Sequence, residues 1–553
     1  MHSKKTLSWA VLGSCLIALM LLPVAASAAT YYVAKTGSDS NPGTEAQPWL
    51  TITKAANTMV AGDTVYVKAG TYSEQVIPAN SGTSGSYITY SVYPGATVIV
   101  DRNGFTYPTY YEGCFTITNK GFIKVTGFQC KNSTNGFGIV TYGANNIEIR
   151  NNYTYNTSES GIAVWHGSHD IIVEGNEIEL ACNDRWQECI SVADGSYNVQ
   201  ILNNEVHHSG PGTNGGEGID VKEGSHDVLV KGNYVHHINR LGLYCDAWDQ
   251  ATYNVTYDSN VVHDCLYYGM ALACERGQRL DHITIMNNVF YDNTNSGICI
   301  GDWDAGYPHP MDDVKIINNT CYGNGTGSWG TGVWHTNVEA TNVVIRNNIF
   351  SQNNSHGIYF ENNCVGTIDH NLFDGATQQY GTSYITGDPK FVAPASFDFH
   401  LQSNSPAIDQ GSSVSAPDHD YDGDSRPNNG VWDMGADEFL SGPQPPNANF
   451  SGSPTAGAVP LTVNFTDSSS GSPTSWSWTF GDGGTSTAQN PSHQYTASGY
   501  YTVGLTATNA YGQDTETKTN YIGVEPAGLP TFVAAGAVAS AAGAITPALP
   551  AGI

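Results

Sequence analysis

Basic residues are scarce in this 553-residue chain: 21 lysines and arginines face 50 aspartates and glutamates, a net charge of −29. Nucleic-acid binding needs a basic stripe to displace counterions and is excluded; the same balance argues against binding to an anionic membrane. Charged residues of either sign make up only 13%, against roughly 25% in an average soluble protein. Long helical patterns are nearly absent, which excludes an all-α enzyme. No CxxC spacing supports zinc or redox chemistry, and no Gly-rich phosphate loop or Ser-His-Asp hydrolase signature stands out. What is present is a 40% hydrophobic content with 61 Gly, 32 Tyr and 11 Trp, enough to build a core rather than a disordered chain. The length suits about three or four domains.

Residues 1–29 read as a secretory signal: Lys4 and Lys5 open it, an apolar run reaches Ala25, and Ala26-Ser27-Ala28 supplies the small residues of a cleavage site. No later stretch is a convincing membrane span, so a secreted or cell-surface protein is expected, and a monomer. Losing Lys4 and Lys5 takes the net charge from −29 to −31. Cys15 leaves with the signal, and the ten cysteines that remain permit disulfides in an oxidising compartment. Cys182 and Cys189 flank a short loop and are the expected pair; buried free thiols explain the others equally well.

The strongest signal is internal repetition. A short β-branched run ending in Asn recurs at Asn152, Asn176, Asn204, Asn233, Asn260, Asn288, Asn319, Asn348 and Asn371, in steps of 24, 28, 29, 27, 28, 31, 29 and 23 residues. Between these lies a second run, opening with Gly or a stand-in: GIAVW, CISVA, GIDVK, GLYCD, GMALA, GICIG, GVWHT and GIYFE. No single period can bury its apolar face, whereas stacked coils bury one continuous core. Asn tolerates left-handed backbone at the corners and can stack in ladders. The pattern predicts an all-β chain, a right-handed parallel β-helix over residues 30–439; a β-propeller would need periods nearer 40–50 residues. An amphipathic helix from about Leu50 to Val60 would cover the open first rung.

After Asn371 the period fails, and FDFHLQSNSPAIDQG and DMGADEF read as a closing segment. Between them Asp418, Asp420 and Asp422 are spaced as in the first half of a calcium loop, although Asn429 stands where an EF-hand has its closing Glu. A calcium ion there competes evenly with an acidic surface loop. Residues 440–446 read as a Pro-rich linker. WSWTFGDGG, NPSHQY and GYYTVGLTATNAYG over residues 447–525 resemble a PKD domain, an immunoglobulin-like β-sandwich, with Trp478 and Phe480 alternating into its core. That resemblance implies a spacer or weak glycan contact. Residues 526–553 carry no charge and read as a low-complexity tail.

Chemistry on a β-helix must use side chains that alternate outward along a strand. Rungs stack about 4.8 Å apart, so matching outward positions become neighbours. The second and fourth positions of the Gly-led runs form one such column, and two consecutive rungs concentrate charge in it: Asp220/Lys222, then Tyr244/Asp246. Glu217, Glu223, Trp248, Asp249, Glu275, Arg276, Asp302, Trp303 and Asp304 lie around them. Stacked carboxylates bind a cation or raise one another's pKa. Trp165, His166, Tyr244, Trp248, Trp303 and Trp334 offer ring faces for sugars. A solvated acidic face with incidental aromatics is the bland alternative. His207-His208 and His236-His237 recur at the same place in successive periods, open to a metal or to repeat drift on a loop face.

GIDVKEG followed one rung later by YCDAWD resembles the β-helix pectate lyases. By that resemblance Asp220, Asp246 and Asp249 would hold calcium (Ca2+), with Cys245 standing where a further Asp is expected and Arg276 and Arg279 where the base lysine lies. Glu217 with Lys222 separately resembles the Glu and Lys of β-helix alginate and chondroitin lyases, and GID of GIDVKE is similar to a strand of mannuronan epimerases. These resemblances imply a calcium-assisted lyase acting on a uronate polysaccharide, with Lys222 or Arg276 taking the proton and Glu217 and Glu275 beside it. Carboxylates around Lys222 would raise its pKa unless calcium neutralised them first. The rival is glycoside hydrolysis by paired carboxylates: Asp220 and Asp246 at about 5–5.5 Å, or Asp220 and Glu275 near 9.5 Å. A third reading is a non-catalytic glycan binder.

Overall fold

The computed structural model describes residues 28–105, 112–183, 187–211, 215–303, 306–327, 329–375, 381–428, 430–440, 442, 445–469 and 471–525. The expected tail, all but the last two residues of the expected signal, and Asp304 and Asn429 lie outside them.

Three parallel sheets wind into a β-helix of about ten turns. The first sheet, of 14 strands, carries the runs that precede the periodic Asn, such as Asn145–Arg150 and His226–Lys231. The second, of 13, carries the short strands that follow it, such as Glu177–Glu179, Glu205–His207 and Tyr234–His236. The third, of 10, carries the Gly-led runs, such as Ile219–Val221 and Leu243–Asp246. Each rung sends β-branched side chains inward, and Ile190, Ile219, Leu243, Met270 and Ile298 stack in register through the shared core.

The periodic Asn explains why this sequence coils. From Asn152 to Asn371 each side-chain Nδ2 donates to Oδ1 of the next Asn at 2.9–3.0 Å, and each backbone N–H donates to the same oxygen. The side chains thereby satisfy backbone groups at a buried corner where no strand partner is available. Asn260, fully buried, accepts from the N–H and Nδ2 of Asn233 and donates to the Val230 carbonyl and Asn288. Asn260→Ala is expected to cost about 3–5 kcal/mol, since each orphaned buried group costs about 1–3. Chemical denaturation against the parent chain measures it; a loss under 1 kcal/mol would mean that the ladder is incidental.

At the N-terminus the expected helix forms over Ile52–Thr58, capped by the Thr51 hydroxyl, which accepts the Lys54 N–H at 3.0 Å. Its Ile52, Ala55 and Ala56 join the core of the first rungs. The closing segment runs along the outside of the solenoid: Phe391, Phe399, Leu401, Met434 and Ala436 pack on the outward Val289, Tyr291, Ile349 and Leu372 of the second sheet. Corner Asn287, Asn318 and Asn347 donate to its backbone carbonyls. The C-terminal region is a β-sandwich of three and five strands, with Trp478 and Phe480 in its core.

All ten described cysteines are free thiols. Cys182 and Cys189 lie in contact in the core without the expected bond, their side chains serving as small apolar filler. Among the described residues no helix is long and apolar enough to cross a membrane.

Candidate functional site

The site lies on the outer face of the third sheet. Asp220 sits between the core residues Ile219 and Val221, so its side chain must project outward, and it pairs in register with Ser191 and Tyr244. Val221 pairs with Cys245, so the adjacent Lys222 falls beside Asp246. This face is covered: Asp220 is fully buried, and Glu188, Glu217 and Asp246 are nearly so.

Lys222 is the centre of the cluster. Its Nζ lies 2.5 Å from Glu188 and 3.4 Å from Asp220, and Arg240 pairs with Glu217 at 2.7 Å. Two cations thus face four carboxylates. Burial raises the Asp220 and Asp246 carboxyls well above their ordinary range, and neighbouring carboxylates push them further. Burial lifts Glu217 to about 7, helped by Glu188. Burial works against the Lys222 ammonium, but Glu188, Asp220 and Asp246 outweigh it and hold its proton firmly. Lys222 is thus held charged among its carboxylates, the state the sequence implies where no cation neutralises them. Glu188 Oε2, both oxygens of Asp220 and Oδ1 of Asp246 accept no hydrogen bond.

Beside the cluster opens a recess of about 250 Å³ lined by Trp165, His166, Gln187, Asp194, Lys222 and Glu223. His166, Asp194 and Glu223 take the same corner position in three successive rungs, all with left-handed backbone, each followed by Gly-Ser. His166 Nδ1 lies 2.8 Å from Asp194, and Asp194 is hydrogen-bonded to Glu223. Burial and that contact lift the Glu223 carboxyl to about 7. Trp165 is mostly buried; its Nε1 donates to Ser191 at 3.0 Å, leaving only an edge at the recess. His166 also borders a second recess, of about 340 Å³, with Tyr142 and Thr118.

On the other side of the cluster stands an aromatic wall. Tyr244 donates to Glu275 at 2.6 Å, Trp303 leans on Tyr244 and Tyr268, and Tyr268 meets Trp334. The small outward Ala271, Ala273 and Cys299 leave room for these rings. The half-buried Trp248 and the exposed Asp249 and Arg276 form a separate group: the guanidinium lies 4.1 Å over the Trp248 ring and 3.7 Å from Asp249.

The expected metal sets do not gather as the sequence suggested. Among the described residues, donor atoms of three side chains lie within 4.8 Å of one another only at Glu177/Glu179/His207 and His400/Asp422/Asp437. Asp220 and Asp246 join Glu188 about Lys222, while Asp249, with its side chain 68% exposed, pairs with Arg276. At the closing segment Asp418 points to solvent and pairs with His419. Asp420 accepts the N–H groups of Asp422, Asp424 and Glu438, and Asp422 turns to His400 at 2.8 Å. The buried Asp420 is a backbone clamp. The orphaned oxygens of Glu188, Asp220 and Asp246 are of the kind a hard divalent cation takes, but they do not all come within 4.8 Å of one another and the Lys222 ammonium stands among them.

Glu188, Asp194 and Arg240 were not singled out from the sequence. Glu188 precedes Cys189 as Glu217 precedes Gly218, one rung on, so aligning the periods by their second run would have found it. Asp194 was equally available from the recurring Gly-Ser corner.

A profile of the family described as "Pel9A-like, right handed beta helix region" matches residues 31–383, and a PKD domain profile matches 441–524. An uncharacterized protein of Bacillus subtilis (strain 168), YwoF, is 27% identical over 434 residues, covering 68% of this chain and 91% of its own length. Among solved structures, a complex of XylC with xylose is 14% identical, over 74% of this chain and 98% of its own, at a TM-score of 0.53. Pectate lyase Pel9A is 16% identical, over 74% and 97%, at a TM-score of 0.48. At 14% identity the XylC structure speaks to the fold alone.

Proposed function

The chain belongs to the Pel9A-like right-handed β-helix family, and on that premise we propose that it is a secreted, calcium-assisted lyase of a uronate-containing polysaccharide. The observation that carries this reading is the set of buried carboxylate oxygens on Glu188, Asp220 and Asp246 that accept no hydrogen bond. Closing in around an ion that takes the place of the Lys222 ammonium, those three residues would hold Ca2+. Bound there, the ion would supply positive charge for a substrate carboxylate and for the enolate that develops when the neighbouring proton is lost.

The chain's own residues divide the remaining work. Without the ion Lys222 holds the carboxylates together. Glu223, lifted to about 7 at the recess, is the group matched to proton transfer near neutrality and takes the proton beside the uronate carboxylate. Asp194 and His166 orient it along the corner. Trp165 and the wall of Tyr244, Trp303 and Trp334 flank the sugar chain.

One observation favours a second reading. Glu223 at the recess has its carboxyl lifted to about 7, the raised acid that glycoside hydrolysis uses to protonate its leaving group. Incubating the full chain with pectate, alginate and xylan, with calcium or with chelator, separates the two. A product absorbing in the ultraviolet that is lost with chelator is expected. Reducing sugar without that absorbance would replace lyase by hydrolase, and neither product would leave a glycan binder.

A further inference from the structure

On the second sheet, away from the carboxylate recess, imidazoles stack. Glu179, His207, His236 and His263 occupy one register column, and the parallel column begins Glu177, Glu205 and Tyr234. The His207 and His236 rings are 5.1 Å apart and 2° from parallel, with His236 and His263 nearly as well aligned. These histidines therefore stand on strands, and only His208 and His237 turn the corner, both with left-handed backbone.

We propose that Glu177, Glu179 and His207 bind a borderline divalent transition-metal ion, of which Zn2+ is the representative. Their donor atoms lie within 4.8 Å of one another. His207 Nε2 is 3.5 Å from Glu177 Oε1, at the limit of a useful hydrogen bond. Two ligands about 2.1 Å from a tetrahedral zinc stand about 3.4 Å apart, so the spacing is that of two ligands of one ion.

The second contact of His207 is that of a metal ligand. Its Nδ1 lies 2.7 Å from Nδ1 of His208, and only one proton fits between them. With that proton on His207 Nδ1 and donated to His208, the Nε2 lone pair is free to bind a cation beside Glu177 and Glu179. Metal-bound histidines are held in this way by an acceptor on the far ring nitrogen. His208 is in turn braced by stacking on His237 at 4.9 Å. Tyr153 donates to Glu179 Oε2, fixing that carboxylate from behind. One rung on, His236 and Glu205 repeat the spacing at 3.4 Å with His237 behind, but His207 stands where Glu179 did, so the all-carboxylate pair is not repeated. The nitrogen ligand sets this site apart from the all-oxygen set on the third sheet, because imidazole suits zinc and carboxylate oxygen suits calcium.

The test is calorimetric titration of the full chain with Zn2+ in excess calcium, repeated on His207→Ala, Glu177→Gln/Glu179→Gln, His208→Ala and, as control, His400→Ala. A single Zn2+ site is expected in the parent. The first two variants should lose it, and His208→Ala should weaken it by about 10–100-fold, the usual cost of a lost orienting partner. His400→Ala should bind as the parent does. Co2+ should give the visible absorption of a tetrahedral site in the parent and not in His207→Ala, with far-ultraviolet dichroism showing each variant folded. No zinc binding in the parent, undiminished binding in His207→Ala, or loss confined to His400→Ala would overturn the proposal.

Discussion

Lys222→Met is expected to destabilise the chain by about 3–5 kcal/mol near pH 8 in chelator, and by far less near pH 5. The lysine lies between Glu188 and Asp220 on a covered face, and removing one partner of a buried ion pair leaves its carboxylates uncompensated. The pH dependence follows from the direction of the shifts. Asp220 and Asp246 carry carboxyl pKa values raised well above their unfolded ones, and Glu217 and Glu223 are raised to about 7. The folded chain thus binds more protons than the unfolded chain from about pH 4 upward, and stability falls as pH rises through that window. Near pH 5 the protonated carboxyls no longer need the ammonium. Denaturation of parent and variant at both pH values measures this; an equal loss at both would mean that the carboxyls are not coupled to Lys222.

Glu223→Gln is expected to lower the rate of product formation by about 10²–10⁴-fold, the usual contribution of a positioned general base. In the parent the rate should rise through about pH 7 as the Glu223 carboxyl ionises. Glu217→Gln provides the contrast: that carboxyl is also lifted to about 7, but it is buried against Arg240 and does not line the recess. Its loss should affect stability more than rate. Equal rate losses in the two variants would move the base away from the recess.

The coil was legible because its cause is periodic. Every step between successive ladder Asn residues, read along the chain, is the separation of two hydrogen-bonded side chains in the structure. Outward parity on the third sheet was legible for the same reason, so Asp220, Lys222 and Asp246 meet as the alternation required. Less legible was which carboxylates joined them. Asp249 follows Asp246 by three residues, but beyond the strand the chain leaves the sheet and Arg276 takes its charge. Glu188, 34 positions before Lys222, comes into contact only through coil stacking. The spacing of Asp418, Asp420 and Asp422 does not fix where the side chains turn, because backbone N–H groups are equally good partners for a buried carboxylate, and Asp420 uses them.

Calorimetric titration of calcium into the full chain and into Asp220→Asn tests most directly whether stacking has built a cation site from carboxylates of neighbouring rungs. The parent should bind one ion at this site near pH 8 and lose affinity toward pH 5 as protons compete, and Asp220→Asn should lack that binding at either pH. Calcium binding identical in the two proteins, or absent from both, would contradict it.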